Sequence, residues 1–177
     1  QKTTLMRKIV LFIACSLDGF IARENGSVEW LFSDADYGYK RFYASIDSVI
    51  MGRKTYEQAC TFEEHPFKGK KAFIFSRQKN LKKRANVKVV QEVVSFTRGL
   101  LKSKGRNVWL VGGAEIVSIL LNAGLIHKMR IFVHPHILGK GIQLFKNIQR
   151  ETRLRLLKTK AFKSGLVELQ YAFVKRK

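Results

Sequence analysis

The chain has 177 residues, 46% hydrophobic and 27% charged, and its 34 Lys and Arg against 13 Asp and Glu give a net charge of +21. That length suits one domain with a sizeable core, and no apolar stretch approaches the ~20 residues of a membrane span. The charge predicts salt-sensitive, non-specific attraction to nucleic acid and other polyanions, yet no zinc-finger spacing, basic heptad helix or RNA-recognition signature marks a dedicated site.

Gln1–Leu5 precedes Met6 and is read as an N-terminal extension or remnant, with one domain over residues 6–177. Arg7–Ala14 is apolar on both alternating faces, as a strand covered on both sides would be. Asp18-Gly19 and Glu24-Asn25-Gly26 read as turns. Ser33 or Asp34 can cap a helix whose apolar face is Tyr39, Phe42, Tyr43 and Ile46. Ser48–Met51 reads as a strand, and a short helix follows Gly52. Pro66 and Gly69 mark a loop before the strand Ala72–Phe75, and Val87–Val90 is a further strand. Val93, Val94, Phe96, Thr97, Leu100 and Leu101 form the stripe of an amphipathic helix. Asn107–Val111 is a strand, Ala114–Leu121 a helix apolar nearly all round, and Arg130–Val133 a strand. Leu154–Ala161 and Leu166–Val174 read as a closing antiparallel pair. Alternating strands and helices predict an α/β sheet with helices on both faces.

Three strand ends carry the functional signal: Val49–Glu57, Ala72–Arg77 and Val108–Ile116. Each is an apolar run that stops at small or basic residues, and the first and third continue with helical spacing. A strand ending in glycine before a helix offers free backbone N–H groups and a positive dipole end to anions. Three such ends predict one elongated polyphosphate ligand, a nucleotide cofactor. The G-x-G-x-x-G fingerprint is absent. Cys15 and Cys60 are too few for a disulfide framework, and with no export signal the expected compartment is the cytoplasm. His134 and His136 share a face if both lie on a strand, but lack a third metal ligand, so no metal site is expected.

The ordered segments Ser16–Ala22, Met51–Tyr56, Phe75–Arg77 and Val111–Glu115 resemble the dihydrofolate reductase superfamily. His134–Phe145, with its proline, Leu-Gly, second Gly and Leu-Phe, is similar to the branch containing the reductase domain of riboflavin biosynthesis. The resemblance covers about Met6 to Val174. It implies a three-layer α/β fold with a mostly parallel, mixed central sheet, helices on both faces and an antiparallel C-terminal strand pair. It also implies NADPH as cofactor. Ala14 and Ile21 would then offer backbone groups to the nicotinamide carboxamide, and Gly52, Arg53, Lys54 and Thr55 would meet the cofactor phosphates. Ser76 and Arg77 would face the adenosine 2′-phosphate. Val111, Gly112, Gly113, Ala114, Glu115 and Ile116 would line the pyrophosphate cradle. The acceptor would sit between Ser16–Ala22, with Asp18, and the helix containing Asp36, with Trp30 as a wall.

In that family a carboxylate on the first helix contacts the pterin ring, and Asp36 matches its placement; helix capping competes for both Asp34 and Asp36. Riboflavin-type domains commonly carry Glu before Gly-Gly, where this chain has Val111, and an acidic pair where it has His127-Lys128. The expected activity is therefore NADPH-dependent hydride transfer to a pterin-like or aminopyrimidine-like small molecule. The alternatives are 5-amino-6-(5-phosphoribosylamino)uracil reduction and a non-catalytic polyanion or nucleic-acid binder. Resemblance of the Arg130–Phe145 region to the branch's assembly region implies a homodimer.

Overall fold

Residues 6–78 and 86–174 are described in this computed structural model. The expected extension 1–5, and the middle of the basic stretch from Arg77 to Lys88, lie outside the described residues.

An eight-stranded sheet forms the centre. Its strands are β1 (Ile9–Ser16), β3 (Ile46–Gly52), β4 (Lys71–Phe75), β5 (Val87–Val90), β6 (Asn107–Gly112), β7 (Lys128–His134), β9 (Leu154–Ala161) and β10 (Val167–Phe173). They lie in the order β5-β4-β3-β6-β1-β7-β10-β9. Pairing is parallel from β5 to β7. It is antiparallel from β7 through β10 to β9. The mostly parallel sheet and antiparallel C-terminal pair are thus as the sequence implies. The parallel strands are buried because helices cover both faces, which is why their sequences read as continuous apolar runs.

Helices α1 (Tyr39–Ala44) and α2 (Arg53–Phe62) pack on one face, and α3 (Val93–Lys102) and α4 (Ala114–Asn122) on the other. The α1/α2 face has a core of Val10, Phe42, Val49, Met51, Tyr56, Ile74 and Trp109. The α3/α4 face is built on Ile9, Leu11, Ile50, Leu110, Val117 and Leu120. Successive residues of β1 fall in opposite clusters, as strand alternation requires.

Three details depart from the sequence expectation. The helix expected from Ser33 or Asp34 begins only at Tyr39, because Tyr37 and Gly38 both adopt positive φ, 50° and 84°. Ile46, expected on its apolar face, instead opens β3. A second, two-stranded sheet of β2 (Phe20–Ala22) and β8 (Ile142–Gln143) was not foreseen. No helix among the described residues is long and apolar enough to cross a membrane.

Candidate functional site

Adjacent strands β3 and β6 send their chains in opposite directions. From β3 the chain leaves through α2 on one face towards β4; from β6 it leaves through α4 on the other face towards β7. The outgoing connections diverge, which leaves a crevice at the carboxyl ends of these two strands. Met51 pairs with Gly112 at that edge. Both helix starts meet there: a Cβ on Gly52 would lie 3.3 Å from Ile116 Cγ1, and one on Gly113 would lie 3.2 Å from Thr55 Oγ1. Glycine at both positions lets the two helix starts approach closely. Gly112 has φ +139° and the Gly112–Gly113 peptide bond is cis.

Neither α2 nor α4 has a side-chain cap at its N-terminus. Their first-turn N–H groups lack intrahelical acceptors and point, with two positive dipole ends, into one crevice. The ends differ in charge: α2 starts with Arg53 and Lys54 and has no acid in its first turn, whereas α4 carries exposed Glu115 there. Glu115 can therefore serve an anion only through its backbone. Arg53 pairs with Glu57 at 2.8 Å, so its guanidinium is partly committed along α2.

A second opening lies one strand further on. Pairing of β1 with β6 stops at Leu11 opposite Leu110. Pairing of β1 with β7 continues to Ser16 opposite His134. Beyond Leu11 the two strands part, and Trp109 Nε1 donates to the Phe12 carbonyl across the gap at 2.9 Å. The β6-facing backbone of Ala14 is left without a strand partner, and a Cβ on Gly112 would lie 3.6 Å from Cδ1 of the preceding Ile13. A notch with free peptide groups on one side and glycines on the other suits a flat ring bearing an amide. At the opposite end of the row, β4 delivers Ser76 and exposed Arg77. Ser76 Oγ accepts from Gln78 N at 3.0 Å and keeps its own proton to donate. Apart from Ile21, the cofactor residues expected from the sequence thus lie along one edge of the central sheet in the order β4, β3, β6, β1.

The acceptor side is arranged differently. Asp18 is exposed, and its carboxylate accepts from Ser16 Oγ (2.6 Å), Leu138 N (3.1 Å) and Gly139 N (2.7 Å). The Ser16 bond, opposed by desolvation and aided by the two backbone bonds, holds its carboxyl below the usual range. Asp18 clasps the Ser16–Ala22 turn to the 136–139 loop. Ile21 lies in β2, which this clasp and β8 support. Trp30 is buried against His134 and His136, with ring centroids 5.4 and 6.1 Å away. Trp30 Nε1 and His136 Nδ1 are buried with no hydrogen-bond partner among the described residues.

Asp36 is exposed, and its oxygens accept from Gly38 N and Lys40 N, both at 3.1 Å. These bonds turn the chain into α1. His134 Nε2 accepts from Phe32 N at 3.1 Å, so Nδ1 carries the proton, towards the Phe132 carbonyl. Burial pushes the Cys15 thiol up to about 11, with the Asp18 charge adding to it. No cluster of His, Cys, Asp and Glu among the described residues could hold a metal ion.

Sequence reading missed the lining of the α1 face beside the notch. Phe12 stacks on Phe42 at 4.1 Å and meets Phe132 at 4.7 Å. Tyr39, Tyr43 and Phe67 surround Trp109 edge-on. Only the alternation of Phe12 with its neighbours hinted that it leaves the α3/α4 core.

Residues 7–168 match the family model described as the RibD C-terminal domain. The uncharacterized protein YwjB of Bacillus subtilis is 40% identical over 170 residues, 93% of this chain and 97% of that one. A crystal structure of a Shewanella sp. PV-4 protein, proposed to act in riboflavin biosynthesis, superposes with TM-score 0.85 at 24% identity, covering 95% of this chain and 99% of that chain. Dihydrofolate reductase from Enterococcus faecalis, complexed with NADP(H), superposes with TM-score 0.72 at 15% identity, covering 95% and 97%. At these identities the two superpositions speak to the fold alone. The chain belongs to the RibD C-terminal domain family, on a dihydrofolate reductase-like fold.

Proposed function

We propose that the protein is an NADPH-dependent reductase that transfers hydride to a flat, pterin-like or aminopyrimidine-like heterocycle. The observation that carries this reading is the pair of openings on one sheet edge. A two-helix crevice at β3/β6 suits a pyrophosphate, and a parted β1/β6 notch beside it suits a nicotinamide. The donors fit the cofactor in charge and order. Backbone N–H groups of the α2 and α4 starts, with Arg53 and Lys54, would hold the phosphates. Ser76 and Arg77 would take the 2′-phosphate, and Ala14 and Ile21 the carboxamide. When bound, NADPH supplies the hydride; the chain binds, orients and excludes water.

The structures likened to this chain include reductases, among them one with NADP(H) bound. Val111 in place of the glutamate common before Gly-Gly favours an acceptor other than 5-amino-6-(5-phosphoribosylamino)uracil. Asp36 is proposed to deliver the proton, and Asp36→Asn separates that part from its turn-forming one. Loss of turnover at unchanged melting temperature supports proton delivery; a lowered melting temperature with unchanged turnover per folded molecule assigns Asp36 to the turn alone. The reading as a whole is tested by following nicotinamide absorbance when the protein is mixed with NADPH and candidate pterins and aminopyrimidines. Oxidation dependent on both protein and acceptor is expected. Binding of polyanions that survives physiological salt, with no nicotinamide oxidation, would favour the non-catalytic alternative.

A further inference from the structure

Strand register places Phe12 and Ala14 of β1, Arg130, Phe132 and His134 of β7, and Glu168 and Gln170 of β10 on one sheet face. It is the α1 face, onto which the β1/β6 notch opens. Arg130 sits opposite Phe12, one residue pair (about 7 Å) down the strands from Ala14. Its surroundings are aromatic: the guanidinium carbon is 5.0, 5.6 and 5.8 Å from the ring centres of Phe12, Phe42 and Phe132.

Arg130 Nε donates to Glu168 Oε1 at 2.6 Å, and Nη2 reaches the same oxygen at 2.5 Å. Gln170 Nε2 donates to that oxygen too, at 2.9 Å. The Glu168 side chain is 5% exposed and that of Arg130 21%. Glu168 is therefore a fixed, buried counter-charge, while part of the guanidinium remains open. A guanidinium has five N–H donors. Beyond those aimed at Glu168, the Nη1 donors of Arg130 have no hydrogen-bond acceptor among the described residues. A charged pair is a poor way to stabilise such a face, since packed apolar side chains of similar volume would do as well. What the pair supplies, and an apolar one could not, is an oriented donor edge among aromatic rings.

We propose that Arg130 is the specificity-determining residue for the hydride acceptor. Its free donor edge takes a carbonyl or carboxylate oxygen of a flat oxo-heterocycle lying against Phe12, and Glu168 fixes the guanidinium for it. This rests on the reductase reading proposed above, with the acceptor on the α1 face, into whose helix the Asp36 turn leads. The probes are lumazine, a dioxopteridine, and 2,4-diaminopteridine, the same bicycle with both oxygens replaced by amines. Binding is followed without cofactor, by calorimetry and by tryptophan fluorescence, and NADPH is titrated separately.

Wild type is expected to prefer lumazine. The paired variant Arg130→Met with Glu168→Gln avoids stranding a buried charge; it should lose lumazine affinity by about ten-fold or more while diaminopteridine changes by less than about three-fold, as loss of one charge-assisted bond implies. Arg130→Lys, which keeps the charge but loses the planar fork, should fall between. NADPH affinity should be unchanged in both variants. Equal binding of the two pteridines by wild type, or equal losses for both in the variants, would overturn the proposal; should the paired variant fail to fold, the wild-type preference and Arg130→Lys still decide it. Failure of wild type to bind NADPH would instead defeat the reductase reading while leaving the pteridine comparison intact.

Discussion

Replacing Gly141 by alanine probes the support of the proposed nicotinamide end. Gly141 has φ +154°, and a Cβ there would sit well inside 3.0 Å of the Ala22 carbonyl oxygen, with Phe20 Cδ1 at 3.4 Å. Ala22 pairs with Ile142 across the β2/β8 sheet, so the neighbouring strand itself must move. The backbone conformation alone costs roughly 1–3 kcal/mol, and displacing a packed strand adds about 1–3 kcal/mol. Gly139→Ala is the control. Gly139 has φ +73° but open space around its Cβ, so it bears only the left-handed cost, about 1–2 kcal/mol. In a domain of this size each kcal/mol moves the melting temperature by about 2–4 °C. Thermal unfolding should show a loss for Gly141→Ala roughly twice that for Gly139→Ala. Because Ile21 precedes Ala22, NADPH affinity should fall in the first variant and stay near wild type in the second. Equal effects of the two substitutions would refute the view that β8 sets the position of β2.

Burial, opposed by the Phe132 bond and reinforced by His136, holds His134 below its ordinary value of 6.5. The unfolded chain therefore takes up the proton first, so His134 stabilises fully above about 6.5 and loses that contribution as pH falls towards the folded value. Melting temperatures between about pH 7 and pH 5 should drop more steeply in wild type than in His134→Gln; parallel profiles would remove His134 from the cause. With its thiol pushed up to about 11, Cys15 should resist iodoacetamide at neutral pH while half-buried Cys60 reacts; mass mapping that finds Cys15 modified first would contradict this. Light scattering at moderate ionic strength should report a homodimer, about twice the 20.4 kDa chain, and a monomer across a wide concentration range would refute it.

Much of this was legible in the sequence because it is local. Apolar runs such as Val49–Met51 and Val108–Val111 mark strands buried on both faces, and the glycines after them mark where helix starts approach one another. The rest depends on partners far along the chain. The bonds that Asp18 accepts from Leu138 N and Gly139 N have no local mark, because those donors stand 120 and 121 residues away. The β2/β8 strands are too short to show a period, and only pairing across the fold defines them. The parting of β1 from β6 has no sequence mark, since Phe12–Ala14 reads like any strand. The Arg130–Glu168 pair needs the β7/β10 register before the two charges can be seen to meet. The late start of α1 has a local cause, but Tyr37 at positive φ is not a residue that announces it.

The central claim is that the edge from Ser76 and Arg77 to Ala14 holds NADPH. The 2′-phosphate is what separates this cofactor from NADH, and Arg77 is the exposed guanidinium at the β4 end, with no ion pair to it among the described residues. NAD-selective sites present an acid to the ribose hydroxyls, and none of Phe75, Ser76, Arg77 and Gln78 at the end of β4 is acidic. Titration of NADPH and NADH against wild type and Arg77→Ala, followed by fluorescence or calorimetry, measures the claim directly. Wild type should bind NADPH more tightly than NADH, and Arg77→Ala should lose about one to two decades of NADPH affinity with NADH little changed, the effect of one charge-assisted bond. Equal affinity for the two cofactors in wild type would contradict the assignment.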